Sequence, residues 1–266
     1  MFDFFYDKKR VIIGMVHIGA LPGAPLYDKN GGLSKLTDDA ITDAEKLING
    51  GVDGILFGNE NDRPYVCKAS AEGVAAMTSV VKSVMSEVDI SFGTNYLWDP
   101  VASIAIAVAT GAQFFREIFT GVYASDMGLW VPDCASALRL RQNIGGDHIK
   151  AFFNINAEFS TSLDTRPIEL RAKSAVFSSM ADAILISGPI TGYPVNTSDL
   201  AKIRNHLPDT PIFANTGVNL ENVFEILKLA DGCIVGTHFK KDGITWNSVD
   251  EERVKRFMDV ATRLGH

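Results

Sequence analysis

The stretch PIFANTGVNLENV, residues 211–223, contains a complete strand, turn and helix start. The apolar residues 211–214 run directly into Asn215, Thr216 and Gly217, and an amphipathic pattern begins at Asn219. A buried strand that passes through small polar residues into a helix is the repeating unit of a parallel sheet. The stretch therefore predicts an α/β fold with this turn at the carboxyl end of a strand.

The same alternation runs along the whole chain of 266 residues, without a proline-rich linker. We predict eight strands, at residues 11–16, 54–57, 90–94, 114–116, 151–155, 183–186, 211–214 and 232–235. Eight helices are predicted between and after them, at residues 36–49, 72–87, 101–110, 134–144, 168–180, 198–206, 220–229 and 250–263. This arrangement favours a (β/α)8 TIM barrel forming one domain over residues 1–266. A doubly wound open sheet is the alternative, but the chain has no G-x-G motif for a dinucleotide.

Composition excludes several classes of protein. The formal net charge is −7 with no basic run, which argues against a nucleic-acid surface. No apolar run is long enough to cross a bilayer, and the start MFDFFYDKKR does not resemble a secretory signal. The three cysteines, Cys67, Cys134 and Cys233, are too far apart for a Cys-x-x-Cys zinc site. We expect a cytoplasmic protein.

Polar side chains follow almost every predicted strand, at the end where barrel enzymes carry their active sites. The candidate catalytic residues are His17, Asn95, Arg116, Glu117 and Asn154. His17 and Glu117 are suited to acid and base roles, and Arg116 or Asn95 to stabilising negative charge. Because neighbouring strand residues point to opposite faces, we expect only one of Arg116 and Glu117 to face inward.

Small residues follow the last three predicted strands and indicate a phosphate site. Backbone N–H groups in such loops commonly bind phosphate in barrels. The candidate binding residues are Ser187, Gly188, Thr191, Asn215, Thr216, Gly217, Gly236 and Thr237. The alternative is that the glycines only make turns and that Asn219 caps a helix.

Two carboxylates, Glu60 and Asp99, are candidate ligands for a divalent cation such as Mg²⁺ or Mn²⁺. No other cofactor is indicated. Glu60 could instead lie in an exposed turn, and Asp99 precedes Pro100, which is typical of a helix N-cap.

Missing motifs narrow the chemistry further. Lys150 begins a predicted strand, and Lys240 and Lys241 lie in a predicted loop, so a Schiff-base aldolase is disfavoured. The chain has no G-x-S-x-G, Walker or H-E-x-x-H motif, which argues against serine hydrolases, P-loop NTPases and zincins.

Several long motifs resemble those of the BtpA family, and more closely its SgcQ-like branch. They are GMVHIGALPGAPLYD (14–28), NGGVDGILFGNEND (49–62), FGTNYLWDPVAS (92–103), REIFTGVYASDMGLW (116–130), ANTGVNLENV (214–223) and ADGCIVGTHFKKDG (230–243). The resemblance implies a barrel-like fold. It carries no settled reaction: one branch is named for photosystem I biogenesis, and the other lies beside sugar-phosphate genes and has been labelled a nucleosidase.

These observations leave three hypotheses. The first is an enzyme acting on a phosphorylated sugar or ribosyl compound by proton transfer next to a carbonyl, as in isomerases, epimerases and aldolases. The second is a nucleosidase, in which carboxylates support an oxocarbenium-like transition state. The third is a non-enzymatic biogenesis factor for a photosystem or other membrane complex. A homo-oligomer is compatible with each.

Overall fold

The computed structural model describes residues 2–6 and 8–263. Its strands are β1 (Val11–His17), β2 (Gly54–Gly58), β3 (Phe92–Asn95), β4 (Phe114–Glu117), β5 (Tyr123–Ser125), β6 (Gly128–Trp130), β7 (Lys150–Asn154), β8 (Ser160–Ser162), β9 (Ala183–Ile186), β10 (Ile212–Ala214) and β11 (Gly232–Val235). Eight of them form a closed parallel barrel in the order β1, β2, β3, β4, β7, β9, β10, β11. The predicted TIM barrel is confirmed.

A helix lies between successive barrel strands or after the last one. The helices are α1 (Gly32–Asn49), α2 (Ala71–Glu87), α3 (Pro100–Thr110), α4 (Cys134–Asn143), α5 (Ile168–Phe177), α6 (Thr197–His206), α7 (Val223–Leu227) and α8 (Glu251–Thr262). In the part of the chain that the structure describes, no helix combines the length and apolar character required to span a membrane.

Aromatic rings fill the interior of the barrel toward the amino-terminal ends of its strands. Phe114, Phe152 and Phe213 point inward from three strands, and the ring centroids of Phe114 and Phe152 are 4.7 Å apart. Phe5, from the segment before β1, is fully buried among them, with its ring centroid 5.9 Å from that of Phe114. The N-terminal aromatic residues therefore plug the end of the barrel opposite the polar loops.

A repeated hydrogen bond from a side chain to the backbone connects neighbouring strands at their amino-terminal ends. Asp53, Asp182 and Asp231 each stand just before a barrel strand and accept a hydrogen bond from the backbone N–H at the start of the preceding barrel strand. Gln113 does the same for Phe92 at 2.8 Å. These contacts satisfy N–H groups that the ladder leaves open at its ends.

One predicted helix is much shorter than expected. The sequence predicts a helix over residues 220–229, but α7 covers only Val223–Leu227. The Asn219 side chain accepts hydrogen bonds from the N–H groups of Glu221 and Asn222, and Asn222 in turn accepts one from the N–H of Asn219. Because these side chains stabilise a turn, the helix begins only after Asn222.

The predicted long loop after β4 contains two strands. β5 and β6 form a hairpin, and β8 pairs with the other edge of β5 to complete a three-stranded antiparallel sheet. Trp130 of this sheet packs edge-on against Trp98 of the loop after β3, with centroids 5.1 Å apart. The small sheet therefore lies beside the carboxyl ends of the barrel strands.

Candidate active site

A pocket opens at the carboxyl ends of the barrel strands and collects most of the residues that the sequence singled out. From the catalytic candidates it is lined by His17, Arg116, Glu117 and Asn154, and from the phosphate candidates by Thr191, Asn215, Thr216, Gly217, Gly236 and Thr237. Glu60 also lines it. Asn95, Ser187, Gly188 and Asp99 do not line this pocket.

Asn95 holds the two charged residues of β4 in position. Its side-chain amide donates to Glu117 Oε2 at 2.6 Å and to the backbone oxygen of Arg116 at 2.8 Å. Its Oδ1 accepts from Arg116 Nη1 at 2.6 Å. Asn95 is fully buried, so it positions these side chains and is not itself exposed in the pocket.

The expectation that only one of Arg116 and Glu117 faces inward was wrong, because both line the pocket. Glu117 is the last residue of β4, so the chain is already leaving the strand and the alternation of faces no longer fixes its direction. Hydrogen bonds to Asn95 and to the N–H of Ile118 hold its carboxylate instead.

The positive charge of one guanidinium, that of Arg116, acts on three buried carboxyl groups. Burial raises the pKa of Glu60 and of Glu117 to about 7 in each case, although Arg116 acts in the opposite direction. Burial also raises the pKa of Glu158, whose Oε1 lies 3.8 Å from Arg116 Nη2. Because burial outweighs the charge of Arg116 at Glu60 and Glu117, these two carboxyl groups retain protons up to near neutral pH.

His17 stands beside one of these acids as a neutral imidazole. Its Nε2 lies 3.7 Å from Glu60 Oε1, and its Nδ1 lies 3.4 Å from the backbone oxygen of Thr245. Burial, followed by the positive charge of Lys240, holds the pKa of His17 well below its ordinary value. A neutral histidine next to a carboxyl group with a pKa near 7 is suited to proton transfer.

Unsatisfied polar atoms concentrate in this pocket. Among the described residues, seven buried side-chain atoms lack a hydrogen-bond partner, and four of those belong to residues that line it: Glu60 Oε2, Trp98 Nε1, Arg116 Nε and Asn154 Oδ1. Two of the four are donors and two are acceptors. Buried polar groups are normally paired, so a ligand that reached these four side chains after a small change of rotamer would supply hydrogen bonds that the protein leaves unmade.

The loops after β9 and β10 pack closely on each other. A Cβ at Gly188 would come within 2.1 Å of the backbone oxygen of Tyr193, and one at Gly217 within 2.2 Å of the backbone carbon of Tyr193. The N–H of Gly188 donates to the Thr216 hydroxyl, which itself donates to the Tyr193 oxygen at 3.0 Å. Gly188 therefore allows the loop after β9 to fold closely on itself, and Gly217 allows the loop after β10 to pack closely against it.

Ser187 is buried behind the residues that line the pocket and forms hydrogen bonds with two amide side chains. Its hydroxyl accepts from Asn154 Nδ2 at 2.7 Å and from Asn215 Nδ2 at 2.8 Å. This contact orients both asparagines, which line the pocket.

A second cavity adjoins the first on the side of β10 and β11. Gly192, Gly217, Gly236 and Thr237 line both cavities, and Arg253 of α8 lines only the second. Arg253 Nε donates to the backbone oxygen of His238 at 2.7 Å, which orients the guanidinium beside these loops. Sequence reasoning missed Arg253 because it lies well beyond any strand end.

The two proposed metal ligands have different surroundings. Glu60 lines the pocket, whereas Asp99 accepts hydrogen bonds from the N–H groups of Val101 and Ala102 through Oδ1 and from Ala69 through Oδ2. Asp99 is thus the N-cap of α3, the alternative that its position before Pro100 offered. Among the described residues, no group of three or more His, Cys, Asp or Glu side chains is arranged to hold a metal ion.

Replacement of Asp99 by alanine is expected to lower the free energy of unfolding by about 1–2 kcal/mol, because a helix cap and the contact with Ala69 are lost. Urea denaturation measures this change. Asp133→Ala is the matched control, since Asp133 caps α4 through Ser136 and accepts no hydrogen bond from another segment among the residues that the structure describes. Metal binding would instead be supported by two results together. Asp99→Ala would lose no more stability than Asp133→Ala, and EDTA would lower the melting temperature of the wild type but not that of Asp99→Ala.

Several lining residues were not among the sequence candidates. They are Met15, Tyr65, Leu97, Trp98, Ile118, Glu158, Phe159 and Gly192. Glu158 comes four residues after Asn154, the end of β7, and its Oε2 accepts a hydrogen bond from the Thr191 hydroxyl at 2.8 Å. The sequence signal for Glu158 is its position in NINAE (154–158), directly after two asparagines at the end of a strand. It would have been found if residues further from the strand end had been included among the candidates.

Fold and pocket together define a (β/α)8 barrel protein with its polar site at the carboxyl ends of the strands. The profile of the BtpA family matches residues 8–263. The chain therefore belongs to the BtpA family, as its motifs indicated.

Relatives in this family match along almost their full length. The sgc region protein SgcQ of Escherichia coli (strain K12) is 45% identical over 94% of this chain and 94% of its own. The photosystem I biogenesis protein BtpA of Synechocystis sp. is 31% identical over 96% of this chain and 89% of its own. The structure of 7,8-dihydropteroate synthase from Vibrio fischeri ES114 has a TM-score of 0.60 at 15% identity and covers 97% of this chain and 94% of that one, which shows a shared fold.

Proposed function

We propose that this chain is an enzyme that acts on a phosphorylated sugar or ribosyl compound by proton transfer next to a carbonyl carbon. The observation that carries the proposal is the set of unpartnered buried atoms of Glu60, Trp98, Arg116 and Asn154 in one pocket. They comprise donors and acceptors together. Sugar hydroxyls both donate and accept, so a sugar would satisfy these atoms as no simple anion or apolar molecule would.

The phosphate would bind against the loops after β10 and β11. Within the described residues, the N–H groups of Gly217 and Val218 form no hydrogen bond with the protein. Arg253 lines the same cavity and adds a positive charge there. A phosphate at this position would also be separated from the three acids around Arg116, which would otherwise repel it.

The acids and His17 would perform the chemistry. Neutral His17 can accept a proton from carbon, and Glu117, with a pKa of about 7, can deliver or remove one at the carbonyl oxygen. Arg116 would stabilise the negative charge that develops on that oxygen. Isomerisation, epimerisation and aldol cleavage all begin with this step, so the same residues serve each.

A thermal-shift experiment with phosphate, ribose and ribose 5-phosphate tests the proposal. We expect ribose 5-phosphate to raise the melting temperature most, since it would fill both cavities. A ligand at about a hundred times its Kd stabilises the folded state by roughly 2.7 kcal/mol. Arg253→Met should weaken binding of ribose 5-phosphate at least tenfold.

Arg256→Met is the control, because Arg256 is an exposed residue of the same helix. Binding that is equally strong in both arginine variants would contradict the position of the phosphate. No shift with any of these compounds, nor with hexose phosphates, would argue against the enzyme and for a role in protein assembly.

A further inference from the structure

The pocket has an apolar, aromatic side opposite the proposed phosphate loops. Tyr65, Leu97 and Trp98 line this side, and Phe159, which follows β7, also lines the pocket and belongs to the same hydrophobic cluster as these three. Tyr65 follows β2 and Trp98 follows β3, and β3 lies four strands around the barrel from β10. In a barrel of eight strands that is the opposite edge of the mouth. A ligand bound at both edges therefore crosses above the carboxyl groups.

Two of these aromatic residues adopt an unfavourable backbone conformation. Trp98 has φ = 82° and Phe159 has φ = 52°, and among the described residues only three other non-glycine residues have positive φ. This region is costly for bulky side chains, and such residues persist mostly where function requires their position. Trp98 and Phe159 line the same pocket, whereas the third aromatic residue with positive φ, Tyr6 at 52°, ends the short turn before β1.

The aromatic side is also held rigidly. The Tyr65 hydroxyl donates to the backbone oxygen of Glu60 at 2.9 Å, and its ring centroid is 6.3 Å from that of Trp98. Tyr65 and Phe159 are only partly buried, so their rings have surface left to contact a ligand. Trp98 is buried, and its Nε1 has no hydrogen-bond partner.

We infer that the substrate carries a planar heteroaromatic ring on the sugar, as in a nucleoside 5′-monophosphate, and that Tyr65 and Phe159 bind the faces of this ring. This inference rests on the proposed function, which supplies the sugar and phosphate positions. The indole N–H of Trp98 would donate to a ring nitrogen or carbonyl oxygen. The order phosphate, sugar, ring then matches the order of the glycine-containing loops beside Arg253, the acids and the aromatic side chains across the pocket.

Isothermal titration with ribose 5-phosphate, adenosine and a set of nucleoside 5′-monophosphates that includes nicotinamide mononucleotide tests the inference. At least one mononucleotide is expected to bind about 5- to 160-fold more tightly than ribose 5-phosphate, the range of stacking between an aromatic side chain and a base. Tyr65→Ala should remove most of that advantage and leave the affinity for ribose 5-phosphate within about threefold.

Tyr65→Phe is the matched control, since it retains the ring and loses only the hydroxyl, and it should keep the preference for the mononucleotide. If ribose 5-phosphate binds as tightly as every mononucleotide, the ring site is refuted and the proposed function stands. If none of the phosphorylated compounds binds, both proposals fail. If adenosine binds as tightly as its monophosphate, the ring site stands and the phosphate site fails.

Discussion

Replacement of Asp43 by alanine should lower the free energy of unfolding by about 3–5 kcal/mol, because it leaves a buried ammonium group without a counter-charge. Lys240 is fully buried, and its Nζ lies 2.7 Å from Asp43 Oδ2. Asp43 Oδ1 also accepts the N–H of Val249 at 2.7 Å. Urea denaturation of the variant and the wild type measures the loss.

Asp39→Ala is the control for this variant. Asp39 is also on α1 and lies 2.7 Å from Lys35, but both side chains are more than half exposed. An exposed pair of this kind contributes about 0.3–0.5 kcal/mol. Equal losses in the two variants would show that burial of the Lys240 pair has no energetic effect.

The ion pair of Asp43 and Lys240 also affects the pocket. Lys240 follows Gly236 and Thr237 by a few residues, so the pair anchors the segment after β11 to α1. The positive charge of Lys240 is one cause of the lowered pKa of His17, after burial. Because Lys240 is buried, paired with Asp43 and absent from the pocket lining, it is not placed to form a Schiff base, but its charge helps to keep His17 neutral.

Replacement of Glu60 by glutamine should stabilise the protein at pH 8 and have little effect at pH 4.5. The pKa of Glu60 rises from 4.5 to about 7 on folding. A carboxyl group whose pKa is higher in the folded than in the unfolded protein stabilises the folded state at pH values below its unfolded pKa. This contribution is lost as the pH rises through the pKa of the folded state. The shift corresponds to roughly 3 kcal/mol at 1.36 kcal/mol per pKa unit.

The measurement is urea denaturation of wild type and Glu60→Gln at several pH values between 4.5 and 8. The gain from the substitution should grow with pH across this window. Glu117→Gln should gain less over the same window although burial raises the pKa of Glu117 to the same value, because both of its carboxylate oxygens accept hydrogen bonds, from Asn95 and from the N–H of Ile118, and a glutamine NH2 group loses one of them. Glu87→Gln, at the exposed end of α2, controls for loss of a negative charge. Parallel stability curves for wild type and Glu60→Gln would refute the raised pKa.

The sequence predicted the barrel because its signals are local. Each barrel strand is a short apolar run, and several boundaries carry their own markers, such as Asp99 with Pro100 at the start of α3 and Gly111 at its end. Periodicity and capping depend on neighbouring residues in the chain, so they can be recognised without tertiary contacts. The hairpin of β5 and β6 escaped recognition because its strands have only three residues each.

For the site, the sequence determined which residues stand at the carboxyl ends of strands, and most of those line the pocket. Only the tertiary structure decided their roles. It made Asn95 a positioning residue and Asp99 a helix cap. It also brought Glu158, four residues beyond the end of β7, into the pocket, and Arg253 of α8 into the adjoining cavity. The physical reason is that burial, charge pairing and pKa depend on distances between segments that the closed barrel alone brings together.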